Sequence, residues 1–372
     1  MCSYYGVLFV YMVIFLVNHY LQFGTSMIIL QIKGLMKSFY LPVILVALLP
    51  IFKAYTIKIE EKTLNTSLFI YVITIFVCSV VGIAFPTYRT GDRAGTVGLF
   101  HSANEIGAIL CILSPFFIKG LLAEKFYISK GIIFVLFVYA ILQVGTKVPY
   151  FGVMILIALL VGICLICAKV KKKSYLYKRA GLFFICFILI YGITGLTPVG
   201  ENLTKIYGDI FPITMADIRK QPTQVVEIKN FEELKTTTVS GRNDYLKANK
   251  EKFASSDLYG KMMGISFVNK EEGQELKLTE MDYYDILFCN GIVGTILFAI
   301  PILVFAIAFL RYTMFHKSRI PLELIYSIGM AGAVALLAGH VIVSPAVSIY
   351  LVVIVLKYDF EIRQKEEVKV EI

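Results

Sequence analysis

A small set of polar residues lies beside long apolar segments, where a charge is costly unless it is paired or used. The cations are Arg89, Arg93, Lys147 and Arg242, and the acids are Glu105, Glu280, Asp282 and Asp285. His101, Asn104 and His340 lie close to them in sequence or beside a neighbouring segment. Cations drawn from separate connectors would suit a pyrophosphate, because ionised donors make strong bonds to phosphate oxygens. An arginine fork can engage two oxygens at once, whereas lysine acts as a point charge. A carboxylate within hydrogen-bond reach of a hydroxyl can serve as a general base. Glu280 is the first candidate for that role and Asp282 the second. Each residue also has a structural reading. Arg89 can be a solvated or headgroup-facing charge, and Glu105 can pair with Arg93 or bond to His101. Asp282 and Asp285 can cap the helix that follows, whose N-terminus favours acids. His340 precedes Val341-Ile-Val-Ser-Pro345, where a turn is expected. Asn202-Leu-Thr204 fits a glycosylation sequon, a triplet that also arises by chance.

The elements that would position these groups are set by composition. The 372-residue chain is 58% hydrophobic, against 45–50% for a typical soluble domain. Several continuous apolar runs approach the ~20 residues needed to cross a bilayer as a helix, and none shows the short alternation of a membrane β-barrel. The fold class is therefore an all-α integral membrane protein. About ten transmembrane helices are expected, with one large external loop subdomain between the seventh and the eighth. The spans are placed at 4–21, 39–52, 66–85, 100–118, 131–144, 148–168, 181–196, 283–312, 322–340 and 345–356. Gln22–Ser38 reads as an interfacial helix or a poor span, because it holds Lys33 and Lys37. Phe85-Pro86 is expected to end the third span, since a residue before proline avoids the helical region. The domains are then 1–196, N-terminal helices; 197–281, extracytoplasmic loop; 282–356, C-terminal helices; and 357–372, a cytoplasmic tail.

The net charge of +10 follows from orientation rather than from nucleic acid, for cytoplasmic loops of membrane proteins collect Lys and Arg. Lys169–Arg179 carries six cations and no acid, and it fixes the inner face. The long loop holds 12 basic and 13 acidic residues, as an external segment should. It is too long for a simple connection, and it mixes apolar and charged residues as a small helical subdomain would. Asn243–Phe253 has the spacing of one amphipathic helix. The seven cysteines avoid this loop. Cys164-Leu-Ile-Cys167 falls in mid-helix, where two thiols behave as small apolar residues. The four histidines are scattered, so no metal site or cofactor is expected.

Arg93-Ala-Gly-Thr-Val-Gly-Leu-Phe-His-Ser-Ala-Asn104 resembles the R-x-x-G-x-F-x-x-(P/A)-N segment of bacterial O-antigen ligases and polymerases. Gly145-Thr146-Lys147 is similar to that family's Ser-Arg turn, with lysine replacing arginine. Ser240-Gly241-Arg242 and Leu258-Tyr259-Gly260 resemble its G-R…(L/F)-x-G pattern. Tyr283-Tyr284 through Gly291-Ile-Val-Gly294 resembles its H-N-x-Y-L…G-I-x-G entry to the next span, but the family's histidine aligns with Glu280. The resemblance implies a glycosyltransferase of the cell membrane that uses glycans carried on undecaprenyl pyrophosphate. It implies pyrophosphate contacts from Arg93, Lys147, Arg242 and Arg89, with Glu280 to activate or position the acceptor and Asp282 as the second candidate base. His101, Asn104, Glu105 and His340 would support them. Polymerisation of repeat units is expected ahead of ligation because of Glu280. A lipid-linked oligosaccharide flippase is the alternative from another class. Partners implied are the bilayer, the lipid-linked oligosaccharides, a flippase and a chain-length regulator, with no nucleic acid.

Overall fold

The computed structural model of the chain describes residues 2–88, 93–123, 127–208, 210–219, 242–269, 274–315 and 320–370. Arg89, Asp92, Ser240, Gly241 and His316–Arg319 lie outside the described residues. In chain order the helices are α1 Cys2–Phe23, α2 Ile28–Ala54, α3 Glu61–Val81, α4 Ala103–Lys119, α5 Ile128–Val144, α6 Lys147–Lys171 and α7 Ser174–Thr194. They continue as α8 Pro198–Tyr207, α9 Met215–Arg219, α10 Arg242–Ser255, α11 Leu258–Met263, α12 Asp282–Phe315, α13 Leu322–Leu337 and α14 Pro345–Val370. A two-stranded antiparallel ribbon, β1 Val268–Asn269 and β2 Gln274–Glu275, precedes α12.

Among the described residues, seven helices are long and apolar enough to cross a membrane: α1, α2, α3, α4, α6, α7 and α12. Helices α5 and α13 are apolar but shorter. At 17 residues, α5 is about 26 Å long, slightly less than a ~30 Å hydrocarbon core. These apolar helices carry large side chains on their outsides, such as Phe9 at 68% and Val304 at 63% exposure. In water such a surface would be an association liability, whereas in a bilayer it is the solvated face.

The chain forms two compact units. The first comprises Met1–Ile59, Lys235–Ile325 and Ala331–Ile372; the second comprises Glu60–Leu234 and Tyr326–Met330. In the second unit α4 packs against α3 and α6, and Ile106–Phe116 is buried throughout. The Tyr326 hydroxyl donates to the Gly152 carbonyl at 2.6 Å and Ser327 to that of Ile112 at 2.8 Å.

Three boundaries differ from the sequence expectation. Gln22–Ser38 is not a separate interfacial piece, for α2 runs unbroken through Lys33, Lys37, Pro42 and Pro50. Its polar groups have partners: Gln31 donates to Ser266 Oγ and accepts from the Phe267 amide, and Lys33 pairs with Glu275 at 3.6 Å. Helix α3 stops at Gly82, four residues before Pro86, because Gly82 takes a left-handed φ of 80° and its N–H caps the Cys78 carbonyl. The final helix continues past Leu356, its charges absorbed by i,i+4 pairs Lys357–Glu361 and Asp359–Arg363.

Within the first unit, α12 is broken at Gly291, whose φ of 65° and ψ of −172° are non-helical. The break accommodates the end of α11. The Gly264 amide region and the Met262 carbonyl press against Gly291, and the Ile265 N–H donates to the Phe288 carbonyl at 2.8 Å. Tyr11 of α1 donates to the Asn290 carbonyl at 2.8 Å. A Cβ at Gly291 would overlap the Met262 carbonyl. Gly291→Ala should therefore destabilise the protein by roughly 2–4 kcal/mol, combining a left-handed alanine with overpacking. Thermal unfolding in detergent should show this loss, with Gly162→Ala, where nothing lies within 4 Å, as the neutral comparison.

Candidate functional site

In the second unit, the segment after α3 folds back as a ribbon. Phe85 N–H donates to Gly98 O at 2.7 Å, Val97 N–H to Phe85 O at 2.9 Å and Thr87 N–H to Gly95 O at 2.9 Å. The ribbon is fastened to the end of α5. Thr96 N–H donates to Gln143 O at 2.9 Å, and the Thr87 hydroxyl to Val144 O at 2.7 Å. Arg93 lies exposed beside it, with its guanidinium 5.2 Å from the Tyr88 ring centre. His101 is exposed and stacks on Phe85 at 4.8 Å. Asn104 and Glu105 are half-buried in the first turn of α4.

Lys147 opens α6, half-buried, with its ammonium 5.8 Å from the Tyr207 ring centre. A lysine there opposes the positive end of the helix dipole, so an anion beside it is doubly favoured. Thr146, the preceding residue, is 4% exposed, and its hydroxyl has no hydrogen-bond partner among the described residues.

The residue that ties Arg93 and Lys147 to one framework is Asn202 of α8. Its carboxamide NH₂ donates to Ala94 O at 2.7 Å and to Gly145 O at 2.8 Å, while its oxygen accepts from Ala94 N–H at 3.0 Å. Gly145 is held at φ 71°, and a side chain there would crowd the Ala94 carbonyl. Asn202 is 6% exposed, so its amide is spent on this clamp and is closed to glycosylation. Sequence reading singled Asn202 out only as the first residue of a sequon. Nothing local shows that it bonds residues 57 and 108 positions away.

In the first unit, α10 begins at Arg242, whose Nη2 donates to Glu280 Oε2 at 3.1 Å. Lys277 Nζ donates to the other carboxylate oxygen at 3.3 Å. Arg242 is 12% and Glu280 28% exposed. Burial alone would raise the Glu280 carboxyl, but Arg242, His340 and Lys277 outweigh it and hold the group below its usual value. The Arg242 Nε is buried and has no hydrogen-bond partner among the described residues. Asn249 donates to the Lys277 carbonyl at 3.0 Å, and Phe253 packs on Phe288 at 5.4 Å, so α10 is held against the segment that carries Glu280.

The two aspartates after Glu280 are fully engaged. Asp282, 1% exposed, accepts the backbone N–H of His340 at 2.7 Å and those of Val341 and Ile342 at 2.8 Å each. Asp285 accepts both the amide and the hydroxyl of Thr279 at 2.7 Å. Glu280 and His340 both take left-handed φ values, 57° and 59°, which cost roughly 1–2 kcal/mol each for such residues. Gly339 lies so close to the Glu280 carbonyl that a Cβ would overlap it. Among the described residues, no group of three His, Cys, Asp or Glu side chains is placed to hold a metal ion.

Two outcomes follow from this geometry. Asn202→Ala leaves the Ala94 N–H and two carbonyls unpaired and should cost about 3 kcal/mol, read as a lowered Tm in detergent. For Glu280 the folded pKa lies below the unfolded one. The contribution of its ion pairs is therefore present above the unfolded value and is lost as pH falls through the folded one. Glu280→Gln should remove that part of the acid-side fall in Tm, leaving a flatter profile than the parent's.

Compared with known proteins, the chain matches a model of the family described as O-antigen ligase like membrane protein over residues 1–363. No curated protein and no solved structure matches it. The match covers nearly the whole chain, including both groups of cations and the segment from Glu280 to His340, and with its several apolar helices this multi-pass membrane protein belongs to the O-antigen ligase like family.

Proposed function

We propose that the protein polymerises oligosaccharide repeat units carried on undecaprenyl pyrophosphate, on the outer face of the cytoplasmic membrane. The family places the chain among membrane proteins that join glycans as ligases or polymerases. The observation that carries the finer reading is Arg242. Its Nε donor is buried and has no partner among the described residues, while its Nη2 and Lys277 engage both oxygens of Glu280. A buried donor without an acceptor costs about 1–3 kcal/mol. Two cations to one acid leave the cluster net positive, so an anionic ligand such as a diphosphate restores both balances. In this reading Arg242 stabilises the departing pyrophosphate, and Glu280 orients Arg242 and positions the acceptor. Asp282 is a positioning residue, since its oxygens are consumed by the 340–342 backbone. Within the second unit taken by itself, Arg93 and Lys147 are candidate anion contacts, with His101, Asn104 and Glu105 as supporting groups.

The weak charge balance of residues 197–281 supports an outer location for that segment, and the cations of Lys169–Arg179 support an inner location for theirs. A flippase and a chain-length regulator are the partners such a polymerase needs. Polymerisation is favoured over single-step ligation because Glu280 stands where ligases carry histidine, while the family description itself supports ligation as the second reading. Proteoliposomes supplied with a lipid-pyrophosphate-linked repeat unit test both. A ladder of products is expected, lost in Arg242→Ala and partly retained in Arg242→Lys. A wild-type ladder in the Arg242→Ala lane would remove that residue from the site, and a single transferred glycan would favour ligation.

A further inference from the structure

We infer that a cavity between the C-terminal end of α2 and the charged part of α14 holds the headgroup phosphate of an anionic phospholipid. The site shares no residue with the Arg242–Glu280 cluster and needs no glycan to fill it. Its volume is about 230 Å³, and its whole lining belongs to the first unit. Phe52, Leu356 and Phe360 form an apolar wall, while Lys53, Thr56, Asp359 and Arg363 form a polar one. Pockets that enclose a whole small ligand run to about 300–1,000 Å³, so this one suits one end of an amphiphile.

The cavity lies at a boundary between hydrocarbon and water. No charged residue occurs in α2 from Ser38 to Phe52, and none in α14 from Pro345 to Leu356. The uncharged stretches end at Lys53 and Lys357, the level at which a bilayer core gives way to headgroups. Tyr55, just past α2, is 77% exposed, and tyrosine collects at that level.

Charge selects the ligand. Arg363 is a fixed cation: its Nε and Nη2 donate to Asp359 at 3.0 Å each, and its guanidinium lies 4.9 Å from the Tyr312 ring centre. Lys53 is exposed and makes no ion pair among the described residues. The lining thus sets two cations, Lys53 and Arg363, against one acid, Asp359, a net charge of +1. The adjacent Lys357–Glu361 pair cancels. Basic pockets between membrane helices recognise anionic lipid heads in this way, and the apolar wall gives the lipid an advantage over a free phosphate.

Thr56 adds a donor at a cost in backbone strain. The Tyr55 N–H caps the Ile51 carbonyl at 3.0 Å and the Ile57 N–H caps that of Phe52 at 3.2 Å. This helix ending holds Thr56 at φ 51°. Glycine is the usual residue in such a place, and a β-branched residue there is an outlier. Strain of this kind gathers where a side chain is used. Here it sets a hydroxyl on the wall that carries Lys53, and both groups donate to phosphate oxygens.

Native mass spectrometry of the whole protein in detergent tests the site, with phosphatidylglycerol, phosphatidylcholine and glycerol 3-phosphate as probes. Phosphatidylglycerol should be retained ahead of the other two. Lys53→Ala should weaken it about five-fold. Asp359→Asn should tighten it several-fold, because the asparagine oxygen still accepts from Arg363 while the net charge rises by one. Thr56→Gly should raise Tm by relieving the strain and yet weaken phosphatidylglycerol, a pairing that a purely structural threonine would not give. Lys178→Ala, in the exposed basic run of the second unit, should leave binding unchanged. The inference fails if phosphatidylcholine binds equally well, or if Lys178→Ala costs as much as Lys53→Ala, which would mean diffuse attraction to a basic surface. It fails too if Asp359→Asn weakens binding while keeping the parental Tm. Glycerol 3-phosphate binding as tightly as the lipid would assign the cavity to a soluble phosphate ester and overturn the lipid assignment.

Discussion

The carboxylate of Asp282 is the constraint on which the first unit's site depends. One acid at the start of α12 receives three consecutive backbone amides from residues 340–342. A carboxylate buried at 1% exposure is tolerable only because these charge-assisted bonds replace its water. In return, two segments 58 residues apart acquire a fixed register. Glu280 and His340 flank that register, and both are held in backbone conformations that neither would adopt alone.

The second unit solves a similar problem with a neutral group. Asn202 offers two donors and an acceptor, and uses all three on the strands of chain that carry Arg93 and Lys147. A carboxamide suits this place better than a carboxylate, since two of its three partners are carbonyl oxygens. Each unit thus braces a stretch of irregular backbone with one buried polar side chain, Asp282 in the first and Asn202 in the second. Irregular backbone in a membrane protein requires such bracing, because unpaired amides and carbonyls are costly away from water.

Much of this was legible in the sequence, and the gaps have physical causes. Continuous apolar runs gave the long helices, because length and hydropathy alone dictate them. Segment 22–38 was misread because its lysines and glutamine look interfacial. Only the loop at 266–275, far away in sequence, shows that Gln31 and Lys33 have partners there. Arg242 and Glu280 were recognisable as a possible site from residue type and flanking spans. That they form an ion pair, and that Lys277 completes it, depends on how α10 docks. Asp282 read as a candidate base because sequence displays a carboxylate but not the amides that consume it. Asn202 read as a chance sequon for the same reason.

The break at Gly291 has a consequence for how the protein meets its bilayer. An unbroken helix of 34 residues would be about 51 Å long, well beyond a ~30 Å hydrocarbon core. Divided at residue 291, its longer part is about 37 Å, a length that modest tilting accommodates. The shorter part, which carries Asp282 and Asp285, need not follow that tilt. Hydrophobic mismatch in a thicker or thinner membrane can then be absorbed on one side of the break while the acids on the other side keep their bearings.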